Sequence, residues 1–255
     1  MTRHPYLLAA ALLATPALLL ACGDDGGSGN QAAATELTIV IGTATEPSIA
    51  TAALSVTADG AASGTGYLTS PDAAAEAAAL LRNADAVTRL TEGAPTDRAC
   101  SEIYGGPDVG VVTGTVAGIK IETRFDRSDG CGIADWQLFE PLLGRPRWSG
   151  DQRIYFRDET EIAATVGSEF LIELASNPTT GYSWRSDVAE GAPVEVGEST
   201  YIAPDTDLVG AGGYEQFRLR ATAVGTAVVV FAYVRSFEPD SPPVDTVTFT
   251  VTVAD

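Results

Sequence analysis

The segment Glu169–Ser186, EFLIELASNPTTGYSWRS, decides how the second half of the chain folds. Phe170, Ile172 and Leu174 recur at every second position, the period of a strand with one face in a core. At Asn177-Pro178 the strand must stop, because the proline ring fixes φ and removes a hydrogen-bond donor. Gly181 lets the backbone turn, and strand-like Tyr182-Ser183-Trp184 resumes. Most turns between strands are shorter than Asn177–Gly181, and few hold out a proline and two β-branched threonines.

Working outward, the same alternation returns in TEIAATVG (160–167), EQFRLRATA (215–223), TAVVVFAYV (226–234) and VDTVTFTVTV (244–253). Short alternating segments punctuated by Gly and Pro predict an all-β sandwich over 154–255. The first half reads differently. ELTIVIG (36–42) and ALSVTA (53–58) predict strands, and VGVVTGTVAGIKIETRF (109–125) predicts two more, parted at Gly118. SPDAAAEAAALLRN (70–83) predicts a helix with Ser70 as N-cap, Pro71 in the first position and Asp72 in the first turn. The fold class predicted is therefore two domains, α+β over 36–144 and all-β over 154–255. GRPRWSGDQR (144–153) interrupts the pattern, which makes 145–153 a linker.

At the N-terminus, Arg3 precedes the apolar stretch YLLAAALLATPALLLA (6–21), which is broken by Pro16 and is short for a membrane span. It reads as a signal peptide over 1–21. LLAC (19–22) resembles a bacterial lipobox, which implies lipidation of Cys22, attachment to a membrane and residence in the cell envelope. An ordinary secretory signal that happens to contain a cysteine is the other reading. Polar GDDGGSGNQAAAT (23–35) completes a tether over 22–35.

Formal net charge is −19, and both halves are acidic, so neither offers the basic surface that nucleic acid requires. The single histidine, His4, lies inside the signal peptide. Ser-His-Asp and Cys-His catalysis and the common histidine-containing zinc sites are thereby excluded. DRSDGCG (126–132) lacks the spacing and the closing Glu of a calcium loop and reads as a turn. No metal, cofactor or catalytic residue is predicted, and the chain reads as something other than an enzyme. Cys100 and Cys131 can pair in an oxidising compartment.

NPTTGYSW, followed by LVGAGGYEQFRLRA and YVRSFE, resembles the chagasin-type inhibitors of papain-like cysteine proteases. The resemblance covers roughly 155–255 and rests on three segments in the family's order. It implies an immunoglobulin-like sandwich whose loops form a wedge that plugs a protease cleft. Asn177, Pro178, Thr179, Thr180 and Gly181 would form the central loop. Gly210, Gly212 and Gly213 would belong to the second, and Arg235 and Phe237 to the third. The family's third loop usually reads Arg-Pro-Trp, whereas here it is Arg235-Ser236-Phe237.

A second resemblance covers roughly 36–140. CSEIYGGPDVGVVTGTVAGIKIETRFDRSDGC (100–131) is similar to the Streptomyces subtilisin inhibitor family, in which a bridge holds a reactive loop for serine proteases. It implies a Cys100–Cys131 bridge, with Cys100 at P3, Ser101 at P2, Glu102 at P1, Ile103 at P1′ and Tyr104 following. Ala58 and Ala77 stand where the family's other disulfide would be, and Ser101 replaces a common proline. The implied function is an envelope-anchored protease inhibitor. The alternative is a surface binding or adhesion module that uses the same folds as scaffold.

Overall fold

A computed structural model describes residues 34–204, 208–235, 237–238 and 241–255. The signal, Cys22 and most of the tether lie outside the described residues.

The alternation in the first half produces strands β1 (Thr35–Gly42) and β2 (Ala50–Val56), followed by β3 (Ala62–Gly66). Two helices come next, α1 (Pro71–Leu80) and α2 (Ala84–Thr91). Strands β4 (Val109–Val116) and β5 (Ile119–Asp126) complete an antiparallel sheet in the order β3-β2-β1-β4-β5. Ser70 caps α1 by accepting from the Ala73 amide, with Pro71 opening the helix. Helices α3 (Gly130–Leu138) and α4 (Glu140–Leu143) follow. Leu37, Ile39, Ile41, Leu54, Val112, Phe125, Trp136 and Phe139 bury one face of the sheet under the helices. DRSDGCG is more than the turn expected of it: Asp129 accepts from the Gly132 amide at 2.7 Å and caps α3.

Residues 145–153 are structured. They contain β6 (Trp148–Ser149) and the start of β7 (Gln152–Tyr155), which pair as a hairpin. Strand β7 then runs parallel to β9 (Glu169–Ser176), with Ile154 opposite Leu171. The remaining strands are β8 (Glu161–Thr165), β10 (Tyr182–Val188), β11 (Val194–Ile202), β12 (Gly213–Ala221), β13 (Gly225–Arg235) and β14 (Asp245–Ala254). They make two facing sheets, β10-β13-β14-β8 and β11-β12-β9-β7-β6. Between them Phe170, Ile172, Leu174, Trp184, Phe217, Phe231 and Phe249 form a second core. Strand β8 joins its sheet by parallel pairing with β14, Glu161 opposite Thr250.

The first half is thus α+β and the second all-β, and the described residues belong to one compact unit. Among them, no helix is long and apolar enough to cross a membrane.

Candidate functional site

Three loops meet at one end of the sandwich, and the residues of the opening segment build the middle one. Strand β9 ends at Ser176. Asn177 then accepts from the Thr179 amide at 3.2 Å and from Thr179 Oγ1 at 2.6 Å, folding Pro178–Thr180 into one turn of 3-10 helix. Thr180 Oγ1 donates to the Asn177 carbonyl at 2.6 Å. The two threonine hydroxyls therefore hold the loop from inside. Gly181 closes the turn at φ +78°, where an L side chain is strained. A Cβ there would also lie 2.8 Å from Phe237 Cε1.

The other two loops are tied to this one. Asn177 Nδ2 donates to the Gly210 carbonyl at 2.8 Å. Gly212 packs against Asn177, leaving ordinary contact distance for a Cβ and no more, while Gly213 lies against the Ile202 carbonyl. On the third side the Asn177 amide donates to Tyr233 Oη at 2.8 Å. Tyr233 stacks on Tyr182 with centroids 5.4 Å apart, and the Arg235 guanidinium lies over Tyr182 at 4.9 Å and beside Phe237 at 5.9 Å. All ten wedge residues expected from sequence therefore sit in one connected cluster.

Sequence reading passed over part of it. Leu208 and Val209 stand beside the glycines of the second loop, and Val209 is fully exposed at 104 %. With Phe237, two-thirds exposed, they give the end of the sandwich an apolar tip that no core requires. The family resemblance points to the glycines, whereas two aliphatics in an unpatterned stretch carry no signal of their own. Tyr182 reads from sequence as core and Tyr233 only as part of a strand, yet they are the props under Arg235 and Asn177. Trp184 is core, and its Nε1 donates to the Ala175 carbonyl at 2.9 Å.

A relative from Trypanosoma cruzi, chagasin, is 37 % identical over 94 residues, which are 35 % of this chain and 84 % of chagasin. This chain belongs to the chagasin family. Residues 163–253 match the family described as Chagasin family peptidase inhibitor I42. Amoebiasin-1 from Entamoeba histolytica is 34 % identical over 86 residues, 33 % of this chain and 81 % of that relative. Among solved structures, the complex of PbICP-C with falcipain-2 aligns at 19 % identity and a TM-score of 0.32, covering 43 % of this chain and 96 % of that one. The cysteine protease inhibitor EhICP2 from Entamoeba histolytica aligns at 23 % and 0.36, covering 40 % and 94 %. The chagasin-family portion is the all-β half, and its relatives are peptidase inhibitors rather than enzymes.

Outside the chagasin-family portion, the structure joins Cys100 to Cys131, with Cα atoms 5.2 Å apart. Ser101, Glu102, Ile103 and Tyr104 are all exposed, Ile103 by 63 %. Both ends of this loop are braced. Gly130 N donates to the Ser101 carbonyl at 2.9 Å, and Gly105 N to the Arg127 carbonyl at 2.9 Å. Upstream, Arg98 makes a fork to Asp135 at 2.8 and 2.7 Å, and Arg89 joins the same carboxylate. Burial pulls the Asp135 pKa upward, but the bonds from Arg98 and Arg89 outweigh it and hold the carboxyl below the ordinary range. Cys100, Asp129 and Cys131 bring metal-type ligand atoms close together. The two sulfurs are bonded to each other, so no thiolate remains to hold an ion.

Proposed function

We propose that the protein is an inhibitor of papain-like cysteine proteases, acting through a wedge made of Asn177–Gly181, Gly210–Gly213 and Arg235–Phe237. The observation that carries this reading is the bonding of the middle loop to the second through Asn177 and Gly210 and to β13, which leads into the third loop, through Tyr233. A loop already fixed in shape loses little entropy on docking, so more of its contact energy appears as affinity. Phe237, Leu208 and Val209 supply exposed apolar surface for a cleft. Pro178 and the two threonines occupy the tip that would sit over the protease's reacting groups. Pro178 has no backbone donor and both threonine hydroxyls are engaged by Asn177, so the tip fills the cleft without offering chemistry.

Titrating the full chain against active-site-quantified papain tests this. Tight, reversible inhibition that is competitive with substrate supports the reading. An adhesion module built on the same scaffold predicts no inhibition at all, and that result would overturn it.

A second activity, inhibition of serine proteases, is favoured by one specific observation: the braced, exposed Ser101–Tyr104 loop beside the Cys100–Cys131 bond. With Glu102 at P1, the loop suits a protease with a basic S1 pocket. A carboxylate without a partner in an apolar slot is heavily penalised. Glu102→Leu should therefore shift inhibition towards enzymes with apolar S1 pockets. If neither the natural loop nor this variant inhibits any serine protease while the bridge is intact, the second activity is excluded. The proposed location is the bacterial envelope, held by a lipid on Cys22, which is outside the described residues.

A further inference from the structure

The centre of strand β9 is buried on both faces. Phe170, Ile172 and Leu174 enter the sandwich core, while Leu171 and Glu173 face the other way and are nevertheless only 6 % and 2 % exposed. A carboxylate this far from water needs charged or hydrogen-bonding partners. Glu173 has a fork from Arg145, Nε at 2.5 Å and Nη2 at 3.0 Å, and a third bond from Gln216 Nε2 at 2.7 Å. The same guanidinium lies over the Tyr214 ring, Cζ 4.0 Å from its centroid, and reaches Glu140 of α4 at 3.6 Å.

These contacts fall on β9 and β12, two of the strands that border the wedge loops. Glu173 stands on β9 four positions before Asn177. Tyr214 and Gln216 stand on β12 one and three residues after Gly213, and Tyr214 is paired with Ala175. Arg145 comes from outside the sandwich strands, one residue beyond Gly144, the C-cap of α4. It therefore grips the loop-end half of the β9–β12 ladder, at the Tyr214–Ala175 and Gln216–Glu173 rungs.

We propose that Arg145 is a positioning residue for the wedge, so that the segment joining the two halves sets how well the sandwich binds its protease. The proposal rests on the cysteine-protease reading above. Without the fork, β9 and β12 open more often at their loop ends. The Asn177–Gly210 bond is then made less of the time, and the loops must be ordered during docking at a cost in affinity. Arginine is required because only its planar fork can hold a carboxylate with two bonds and present a flat face to a ring at once.

The test uses the full chain and papain, with Arg145→Ala, Arg145→Lys and the double variant Arg145→Met with Glu173→Leu. The double variant removes the buried charge with its partner and keeps the volume, a change that buried ion pairs commonly tolerate. Inhibition constant, dissociation rate, melting temperature and amide exchange at Asn177 and Gly213 are measured well below the unfolding temperature. Arg145→Ala and the double variant should each weaken inhibition about tenfold, mainly through faster dissociation. Both should speed exchange at Asn177 and Gly213 while leaving β1 and β4 unchanged. Arg145→Lys should recover part of the affinity. A folded double variant with wild-type inhibition constant, dissociation rate and loop exchange would overturn the proposal. If the wild type itself fails to inhibit papain, the cysteine-protease reading is what fails. The exchange rates then still decide whether Arg145 orders the loops.

Discussion

Asn177 is the residue on which the wedge depends, since its side chain and backbone reach its own loop, the second loop and the strand β13 that leads into the third. Thr179 and Thr180 matter as much for what they hold inside the loop as for what they present outside. Replacing both by Ala removes two hydroxyl bonds to Asn177 and two β-branched side chains from the tip. We expect this variant to stay folded and to lose about thirtyfold in inhibition constant against papain, or ~2 kcal/mol. Unchanged inhibition would contradict the wedge. Gly181→Ala should behave differently, because its φ of +78° costs an L residue about 1–2 kcal/mol. The new methyl must also push Phe237 aside. A lower melting temperature and weaker inhibition should appear together. At this scale much was legible in advance. Pro178 and Gly181 announce their backbone requirements, whereas the exposure of Val209 follows only from where β12 begins.

Among the elements, the braced segment from Arg98 to Gly105 responds most to solution conditions. Asp135 is held below its ordinary pKa in the fold. The charged form is therefore the one folding favours. Its contribution is whole above the unfolded value of about 4 and is lost as pH falls through the lowered folded value. Acidifying below about pH 4 should release Arg98 and Arg89. It should make the segment accessible to an acid-active protease before the sheet unfolds, and Asp135→Asn should produce the same sensitivity at neutral pH. Reduction acts on the other brace. Cys100 and Cys131 are 31 residues apart, and opening that loop should cost roughly 3–4 kcal/mol on the chain-entropy estimate. A serine protease should then cut between Glu102 and Ile103, seen as a single nick by mass spectrometry. The elements themselves were unevenly readable. Strands with apolar alternation and the Ser70-capped helix announce themselves. Strand β3, ASGTG, has no apolar side chain larger than Ala and is a strand only because β2 pairs with it. Strand β11 was passed over because most of its side chains face water. Helix α3 was hidden behind a Gly-rich start, and the hairpin at 148–155 behind the Pro and Gly that suggested a linker.

For the whole molecule, the division into an α+β half and an all-β half follows from the periodicity of apolar residues, but the join does not. Arg145, Arg147 and Trp148 make specific bonds on both sides of it: Arg147 N to Asp108, Trp148 O from Arg127, and Arg145 to Glu173. Nothing in the alternation of either half foretells these long-range pairs. The tether is tested separately. Cys22→Ser should move the protein from the membrane fraction into detergent-free extract, and unchanged membrane association would exclude this anchor. The parallel pairing of β8 with β14 has a consequence in time. A ribosome makes Asn177–Gly181 well before Tyr233 and before β14, so the wedge residues emerge with neither their prop nor a closed sandwich beneath them. The first half, by contrast, can complete its sheet from residues already made. Nascent chains arrested before Val247 should leave papain fully active, and inhibition should appear only as the last strand clears the exit tunnel. A chain still being synthesised is thus an unarmed one.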